Sequence, residues 1–167
     1  MTQSTDPIHS NDPRDPETSG RHAVMRLTVM FADAEGSSGT TEGIASATWQ
    51  TRAAQLLEPQ GIRSLMVRTG REALSRVESG EVHVAVLDQN LPQLSGLQVV
   101  KLLRDRPGSP PTILLARDIS RHVLNDALSM KVFSVLSKPV DLAVLLETLA
   151  RVIQRRYAGH WPTRLVE

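Results

Sequence analysis

The chain has no cysteine and few aromatic residues, and both shortages limit its chemistry. Without thiols it can form no disulfide framework, no thiolate metal site and no cysteine nucleophile, as is typical of proteins from a reducing compartment. We therefore expect a cytoplasmic protein. Its rings are two Trp, two Phe and one Tyr, too few to favour a platform on which bases or sugars stack.

Charge of one sign and long apolar runs are also missing. The formal net charge is +1, and the 19 basic and 18 acidic side chains are interspersed, so no broad field attracts a polyanion. We expect no nucleic-acid partner. No segment approaches the roughly eighteen apolar residues of a membrane span, and the N-terminus lacks the apolar stretch of a signal peptide. We expect no membrane partner either.

A length of 167 residues suits one ordinary domain with flexible ends. Residues 1–23 are rich in Pro, Ser, Thr and Asp and offer almost nothing to bury, which predicts a disordered leader. Residues 24–157 would form the domain. Residues 158–167 would be a tail that packs back on the domain or docks elsewhere. This tail is too short for an output domain, so we expect a single-domain protein.

Short apolar segments alternate with amphipathic ones along the predicted domain. We predict strands at 26–32, 62–67, 82–87, 112–116 and 132–136, and helices at 45–58, 70–80, 95–105, 120–130 and 141–156. The third and fourth strands are nearly continuous apolar runs, which is typical of strands covered on both faces and therefore parallel. The fold class is α/β, a doubly wound five-stranded parallel sheet in a three-layer sandwich with five helices.

Charged residues follow several of the predicted strands. Asp33 and Glu35 follow the first strand, Asp88 the third and Lys138 the fifth. An open parallel sheet gathers such positions in a crevice beyond the carboxyl ends of its strands. Carboxylates crowded there repel one another unless a divalent cation lies between them, and Mg²⁺ is the natural candidate for an all-oxygen site.

Two segments carry a family resemblance. The segment VAVLDQNLPQLSGLQVV resembles the acceptor segment of response-regulator receiver domains, with Asp88, Pro92 and Gly96 at the spacing of that family. The segment SVLSKPVDLAVLLETL resembles its last strand and helix, and TGREAL resembles the start of its second helix. The resemblance covers about residues 27–155. It implies two-component signalling and a flavodoxin-like fold with strand order 2-1-3-4-5.

The resemblance implies that Asp88 is a phosphoacceptor for a histidine kinase or phosphotransfer protein, with no enzyme activity beyond its own phosphorylation and dephosphorylation. Mg²⁺ would be held by Asp33 or Glu35, and also by Asp88 and the backbone carbonyl of Asn90. Lys138 would contact the phosphoryl group. The signal would pass through protein contacts to an unknown target. The family tends to pair through helix 4, strand 5 and helix 5, which makes a homodimer a candidate.

The match to the family pattern is incomplete in the first strand and its loop. The family carries two adjacent acidic residues at the end of this strand, whereas this chain has Asp33-Ala34-Glu35. One metal ligand is therefore displaced, although residues two apart can point the same way on an extended segment. The predicted loop, at about 34–44, is longer than the family needs, and long loops are commonly functional or disordered.

The positions of the family's switch also differ. Ala116 replaces the Ser or Thr that binds the phosphoryl group, and Val135 replaces the switch Tyr or Phe. Arg117 follows Ala116, where the family has a small residue, and would either reach over Asp88 or block the phosphodonor. The residue after Lys138 is Pro139, which the family usually holds in the cis form.

Three readings stay open at this point. The first is a phosphorylated receiver, and the second is a pseudo-receiver that docks on partners without being phosphorylated. The third is a small flavodoxin-like enzyme, which the lack of a Gly-rich phosphate loop disfavours. The histidines have no metal-ligand spacing, and we expect them at the surface: His9, His22, His83, His122 and His160.

Overall fold

The computed structural model describes residues 26–35 and 48–157. The predicted leader, the predicted tail and all but the first two residues of the predicted loop lie outside these ranges. Their boundaries therefore stay predictions.

Five strands and five helices alternate along the described residues, as the sequence predicts. The strands are β1 (Thr28–Ala32), β2 (Arg63–Val67), β3 (Val84–Asp88), β4 (Thr112–Ala116) and β5 (Ser134–Ser137). The helices are α1 (Trp49–Leu57), α2 (Gly70–Glu78), α3 (Gly96–Leu103), α4 (Arg121–Ser129) and α5 (Leu142–Arg156). A short 3₁₀ turn, Glu58–Gln60, follows α1. Among these helices none combines the length and the apolar character needed to cross a bilayer.

The strands form one parallel sheet in the order β2-β1-β3-β4-β5, which confirms the predicted topology. β1 and β3 are neighbours, with Ala32 opposite Leu87. β3 and β4 end almost level, with Asp88 opposite Leu115. The residues that follow β1, β3, β4 and β5 therefore meet at one edge of the sheet.

The sheet separates two apolar cores. Val29 and Phe31 of β1 join the core that contains residues of α1 and α5, whereas Met30 and Ala32 join the core that contains residues of α2, α3 and α4. The side chains alternate between the two cores because successive residues of a strand point to opposite faces. Both sets are fully buried. Burial on both faces accounts for the continuous apolar runs of the central strands.

Candidate functional site: an acidic cluster around one lysine

The first two acidic residues of the site lie in the turn after β1. Asp33 is buried, with 3% of its surface exposed, whereas Glu35 is exposed. The backbone N–H of Glu35 donates a hydrogen bond to Asp33 Oδ1 at 2.9 Å. This turn lets two acidic residues that are not adjacent in sequence approach the same point.

Asp88 is the last residue of β3 and is 2% exposed. The N–H of Asn90, an exposed residue in the following turn, donates to Asp88 Oδ1 at 2.9 Å. Gly96 begins α3 so close to this strand that an added Cβ would lie 2.7 Å from the Asp88 carbonyl oxygen. The spacing of Asp88 and Gly96 thus reflects the close approach of α3 to the end of β3.

The loop after Asp88 is tied down by Gln89, whose importance the sequence did not indicate. Its side-chain oxygen accepts a hydrogen bond from the N–H of Leu97 at 2.9 Å, in the first turn of α3. Its carbonyl oxygen accepts from the N–H of Gly96 at 3.3 Å. Both bonds use backbone donors that a helix leaves unpaired at its start, so they fix the loop against α3.

Lys138 follows β5 and brings the carboxylates together. Its Nζ donates at 2.7 Å to Asp88 Oδ2, at 2.9 Å to Asp33 Oδ2 and at 2.9 Å to Glu35 Oε2. Burial by itself lowers the pKa of this ammonium group, but the hydrogen bonds to Asp88, Glu35 and Asp33 outweigh it and raise the pKa above the usual value. Lys138 is therefore a permanent cation in the site.

Arg117 adds a second cation at the rim. Its guanidinium forms an ion pair with Glu35, whereas the sequence suggested that it would cover Asp88 or obstruct it. The hydrogen bonds from Lys138 and Arg117 lower the pKa of the Glu35 carboxyl. Three carboxylates and two cations thus share one charge network.

Trp49 is a member of the site that no sequence signal indicated. Its indole Nε1 donates to Asp33 Oδ2 at 3.2 Å. Its ring packs edge-on against Phe31, with centroids 5.5 Å apart, which fixes the indole at the start of α1. A lone tryptophan gives no sequence pattern that links it to a carboxylate 16 positions earlier in the chain.

The donor set of the cluster fits a hard divalent cation. One carboxylate oxygen from each of Asp33, Glu35 and Asp88 lies within 4.8 Å of the others. A cavity of about 240 Å³ adjoins Asp33 and Glu35 and is also lined by Trp49, Arg117 and Lys138. Carboxylate oxygen is the preferred protein ligand of Mg²⁺, and the cation would share these oxygens with Lys138.

The remaining positions that the sequence singled out lie around this cluster. Ala116 ends β4 and is 2% exposed, so only a methyl group occupies the position of the family's hydroxyl. Val135 is half-buried in β5. The peptide bond between Lys138 and Pro139 is cis. At the other end of β5, away from the cluster, Lys131 has a φ of 58°, in the left-handed region that favours glycine.

One sequence expectation is wrong. His83 was placed at the surface, but it is partly buried, and its Nδ1 accepts a hydrogen bond from the N–H of Thr28 at 2.9 Å. The hydroxyl of Tyr157 donates to the carbonyl oxygen of His83 at 2.8 Å. Burial lowers the pKa of the imidazole, so it is held neutral.

Three comparisons with known proteins agree with this fold. The family model of the response regulator receiver domain matches residues 46–150. The transcriptional activator protein ExaE of Pseudomonas putida is 31% identical over 104 residues, which is 60% of this chain and 47% of that protein. Response regulator RR06 of Streptococcus pneumoniae is 26% identical over 136 residues, 78% of this chain and 55% of that protein. The chain therefore spans about half the length of these relatives.

A solved structure shows the same fold. The receiver domain of the Francisella response regulator 1452 superposes with a TM-score of 0.64 at 22% identity, covering 78% of this chain and 98% of that domain. The matched family model, the sheet order and these relatives lead to one conclusion. The chain belongs to the response regulator receiver domain family of two-component signalling.

Proposed function

We propose that this chain works in the cytoplasm as a receiver that is phosphorylated on Asp88 by a histidine kinase or phosphotransfer protein. The observation that carries the proposal is the bonding of Lys138, whose single ammonium group contacts the carboxylates of Asp33, Glu35 and Asp88. Such a cluster places a buried nucleophilic carboxylate beside a cation that can offset the negative charge of an incoming phosphoryl group.

In the proposed reaction a carboxylate oxygen of Asp88 attacks the phosphorus of a phosphohistidine. A new O–P bond forms and the N–P bond breaks, and its electron pair stays on the imidazole, which takes up a proton. Water later attacks the same phosphorus, and the carboxylate leaves with its electron pair while inorganic phosphate is released. Lys138 would move its hydrogen bond from Asp88 to a phosphoryl oxygen, because the transferred group carries more negative charge.

Mg²⁺ is the proposed cofactor. Asp33, Glu35 and Asp88 supply the carboxylates, and the backbone carbonyl of Asn90 is the fourth proposed ligand. When bound, the ion would offset the repulsion between the attacking carboxylate and the phosphoryl group. The displaced Glu35 can serve as a ligand because the turn brings it back beside Asp33.

Intact mass spectrometry tests the proposal. The protein is incubated with Mg²⁺ and a small phosphodonor such as acetyl phosphate, with Asp88→Asn as the matched control. We expect one added phosphoryl group in the wild type and none in the control. Equal labelling of both proteins, or no labelling of the wild type with any phosphodonor or kinase, would rule out Asp88 as the acceptor.

A second candidate function is a phosphorylation-independent interaction module. Both carboxylate oxygens of Asp88 already accept hydrogen bonds, from Asn90 and Lys138, and Ala116 offers no hydroxyl to a phosphoryl group. Under this alternative the wild type stays unlabelled yet binds a histidine kinase as tightly as Asp88→Asn does. The same labelling experiment, followed by a kinase-binding assay, separates the two functions.

We also propose that the chain forms a homodimer through α4, β5 and α5 and signals through protein contacts. Apolar side chains on the two helices support this: Leu128 is 74% exposed and Leu124 39% in α4, and Val144 is 42% exposed in α5. Sedimentation of phosphorylated protein tests it. Leu128→Glu should give monomers, whereas Leu56→Glu, at an exposed leucine of α1, should not; dimers of Leu128→Glu would refute this interface.

A further inference from the structure

We propose that Arg117 is the phosphoryl ligand that takes the place of the missing hydroxyl at Ala116. This inference rests on the proposed phosphorylation of Asp88 and adds a residue to that site. Arg117 would leave Glu35 and bind phosphoryl oxygens when Asp88 is modified.

The first step of the argument is a gap in the site. Ala116 ends β4 beside β5, opposite Ser137, and its carbonyl oxygen accepts the N–H of Lys138 at 3.0 Å. Its backbone is therefore fixed at the edge of the cluster, but its side chain is a methyl group that can donate no hydrogen bond. A phosphoryl group on Asp88 would have three terminal oxygens, and Lys138 is a compact point charge suited to one of them.

The second step is the position of Arg117. It directly follows Ala116, and its guanidinium is paired with Glu35, a carboxylate whose oxygen lies within 4.8 Å of one of Asp88. The side chain is 58% exposed, and its rotatable bonds allow a change of partner in solvent. The hydrogen bond to Glu35 raises the pKa of the guanidinium, and the negative charges of Asp88 and Asp33 add to this rise.

The third step is the competition between the two possible partners. The Glu35 carboxylate is 50% exposed, and ion pairs at such solvated positions contribute little to stability. A phosphoryl group carries more charge than a carboxylate and accepts two parallel hydrogen bonds from a guanidinium fork. When Asp88 is phosphorylated, the Arg117 guanidinium should therefore bind the phosphoryl group in preference to Glu35.

The exchange would also allow Glu35 to bind a metal ion in place of Arg117. With Arg117 on the phosphoryl group, Glu35 would lose this cation at the moment when a divalent ion is needed beside Asp88. Mg²⁺ and Arg117 would then bind different groups, the ion to the carboxylates and the guanidinium to the phosphoryl oxygens. If so, replacing Arg117 should weaken the binding of a phosphoryl analogue but should not weaken the binding of Mg²⁺.

The test measures Mg²⁺ binding and, at saturating Mg²⁺, the binding of beryllium trifluoride, an anion that mimics a carboxylate-bound phosphoryl group. In Arg117→Ala we expect beryllium trifluoride to bind roughly ten-fold or more weakly, since a lost charge-assisted hydrogen bond has about this effect. Mg²⁺ should bind equally well or more tightly. Arg117→Lys, which keeps the charge without the fork, should bind the anion with intermediate affinity.

Arg121→Ala is the matched control, since this exposed arginine begins α4 outside the cluster and its loss should change neither affinity. Unchanged beryllium trifluoride affinity in Arg117→Ala would overturn the inference and leave the acceptor role of Asp88 intact. A parallel loss of Mg²⁺ binding would also overturn it, because Arg117 would then act by positioning Glu35. If the wild type binds no beryllium trifluoride and takes no label from a phosphodonor, the proposed function itself fails.

Discussion

Lys138 is the residue on which the charge balance of the site depends. Its Nζ is the hydrogen-bond partner of Asp33 and Asp88, whose side chains are 1% and 3% exposed. Removing one member of a buried ionic group leaves its partners charged and desolvated. The lysine therefore stabilises the folded domain as well as preparing the site.

We predict that Lys138→Met loses about 3–5 kcal/mol of unfolding free energy, as measured in urea without metal. Mg²⁺ should restore part of this loss, because an ion that binds only the folded state stabilises it. Lys101→Met, at an exposed lysine of α3, should change stability by no more than about 0.5 kcal/mol. A Lys138→Met protein as stable as the wild type would show that the cluster does not need its cation.

His83 gives the domain a separate response to pH. Because burial lowers the pKa of its imidazole below the reference value of 6.5, the unfolded chain takes up this proton before the folded one. Stability contributed by the neutral ring is therefore present above the reference pKa of 6.5 and is lost as the pH falls below it through the lowered pKa of the folded state. Protonation would also place a proton on Nδ1, which could then no longer accept the hydrogen bond from the N–H of Thr28.

The measurement is the urea midpoint at several pH values between about 7.5 and 5.5, compared with that of His83→Gln. We expect the wild-type midpoint to fall with decreasing pH and the variant to be less stable but flatter over this range. Glu35 does not interfere, because its pKa is lowered from 4.5 and its contribution is lost only at more acidic pH. Parallel curves for the two proteins would contradict the role assigned to His83.

For single residues, the sequence predicted the members of the site from the apolar strands that precede them. Asp88 and Lys138 follow apolar strands, and parallel strands bring such positions together, so their meeting could be predicted. Trp49 could not, because its hydrogen bond joins it to a residue 16 positions earlier and depends on how α1 packs against the sheet. His83 was misplaced because a histidine before a buried strand looks like an exposed polar residue until its backbone partner is known.

Among the elements, the contact of α3 with β3 helps to position Asp88, the proposed phosphoacceptor. An added Cβ at Gly96 would lie 2.7 Å from the Asp88 carbonyl oxygen and 2.8 Å from a methyl carbon of Leu114. The Asp88 carbonyl is backbone and cannot move aside as the end of a flexible side chain can. A larger residue at position 96 must therefore displace the end of β3 or the start of α3. The geometry of Asp88 would change with either displacement.

We predict that Gly96→Ala is destabilised by roughly 1–3 kcal/mol and accepts little phosphate on Asp88. Gly108→Ala is the matched control, since Gly108 has a φ of 77° but open space around its α-carbon. This control should also lose stability, through backbone strain, yet keep wild-type labelling. Full labelling of folded Gly96→Ala would show that the close contact is not needed for phosphorylation.

The number and order of the elements could be predicted, because each has its own hydrophobic period and stop signal. Boundaries moved by a few residues: the first strand was predicted from residue 26 and begins at Thr28, and the last was predicted from 132 and begins at Ser134. Backbone conformation was the harder property. The left-handed φ of Lys131 could not be read from a lysine, whose side chain disfavours that region.

On the scale of the whole molecule, the sheet determines where chemistry can occur. The matched family model begins at residue 46, so β1 and its acidic turn lie outside it, yet β1 pairs with both β2 and β3. The part of the site that differs most from the family pattern is thus held by a strand in the interior of the sheet. Strand order explains how Glu35 reaches Lys138, although these residues are 103 positions apart.

Backbone amide NMR tests the central claim most directly, namely that four strand ends together hold a divalent cation and a phosphoryl group. Spectra are recorded before and after addition of Mg²⁺ with beryllium trifluoride, with Asp88→Asn as the control. We predict that the largest shifts fall on residues after β1, β3, β4 and β5, including Glu35, Asn90 and Arg117, and are absent in the control. Saturating additions that shift no amide at these strand ends, or that shift the control equally, would contradict the account.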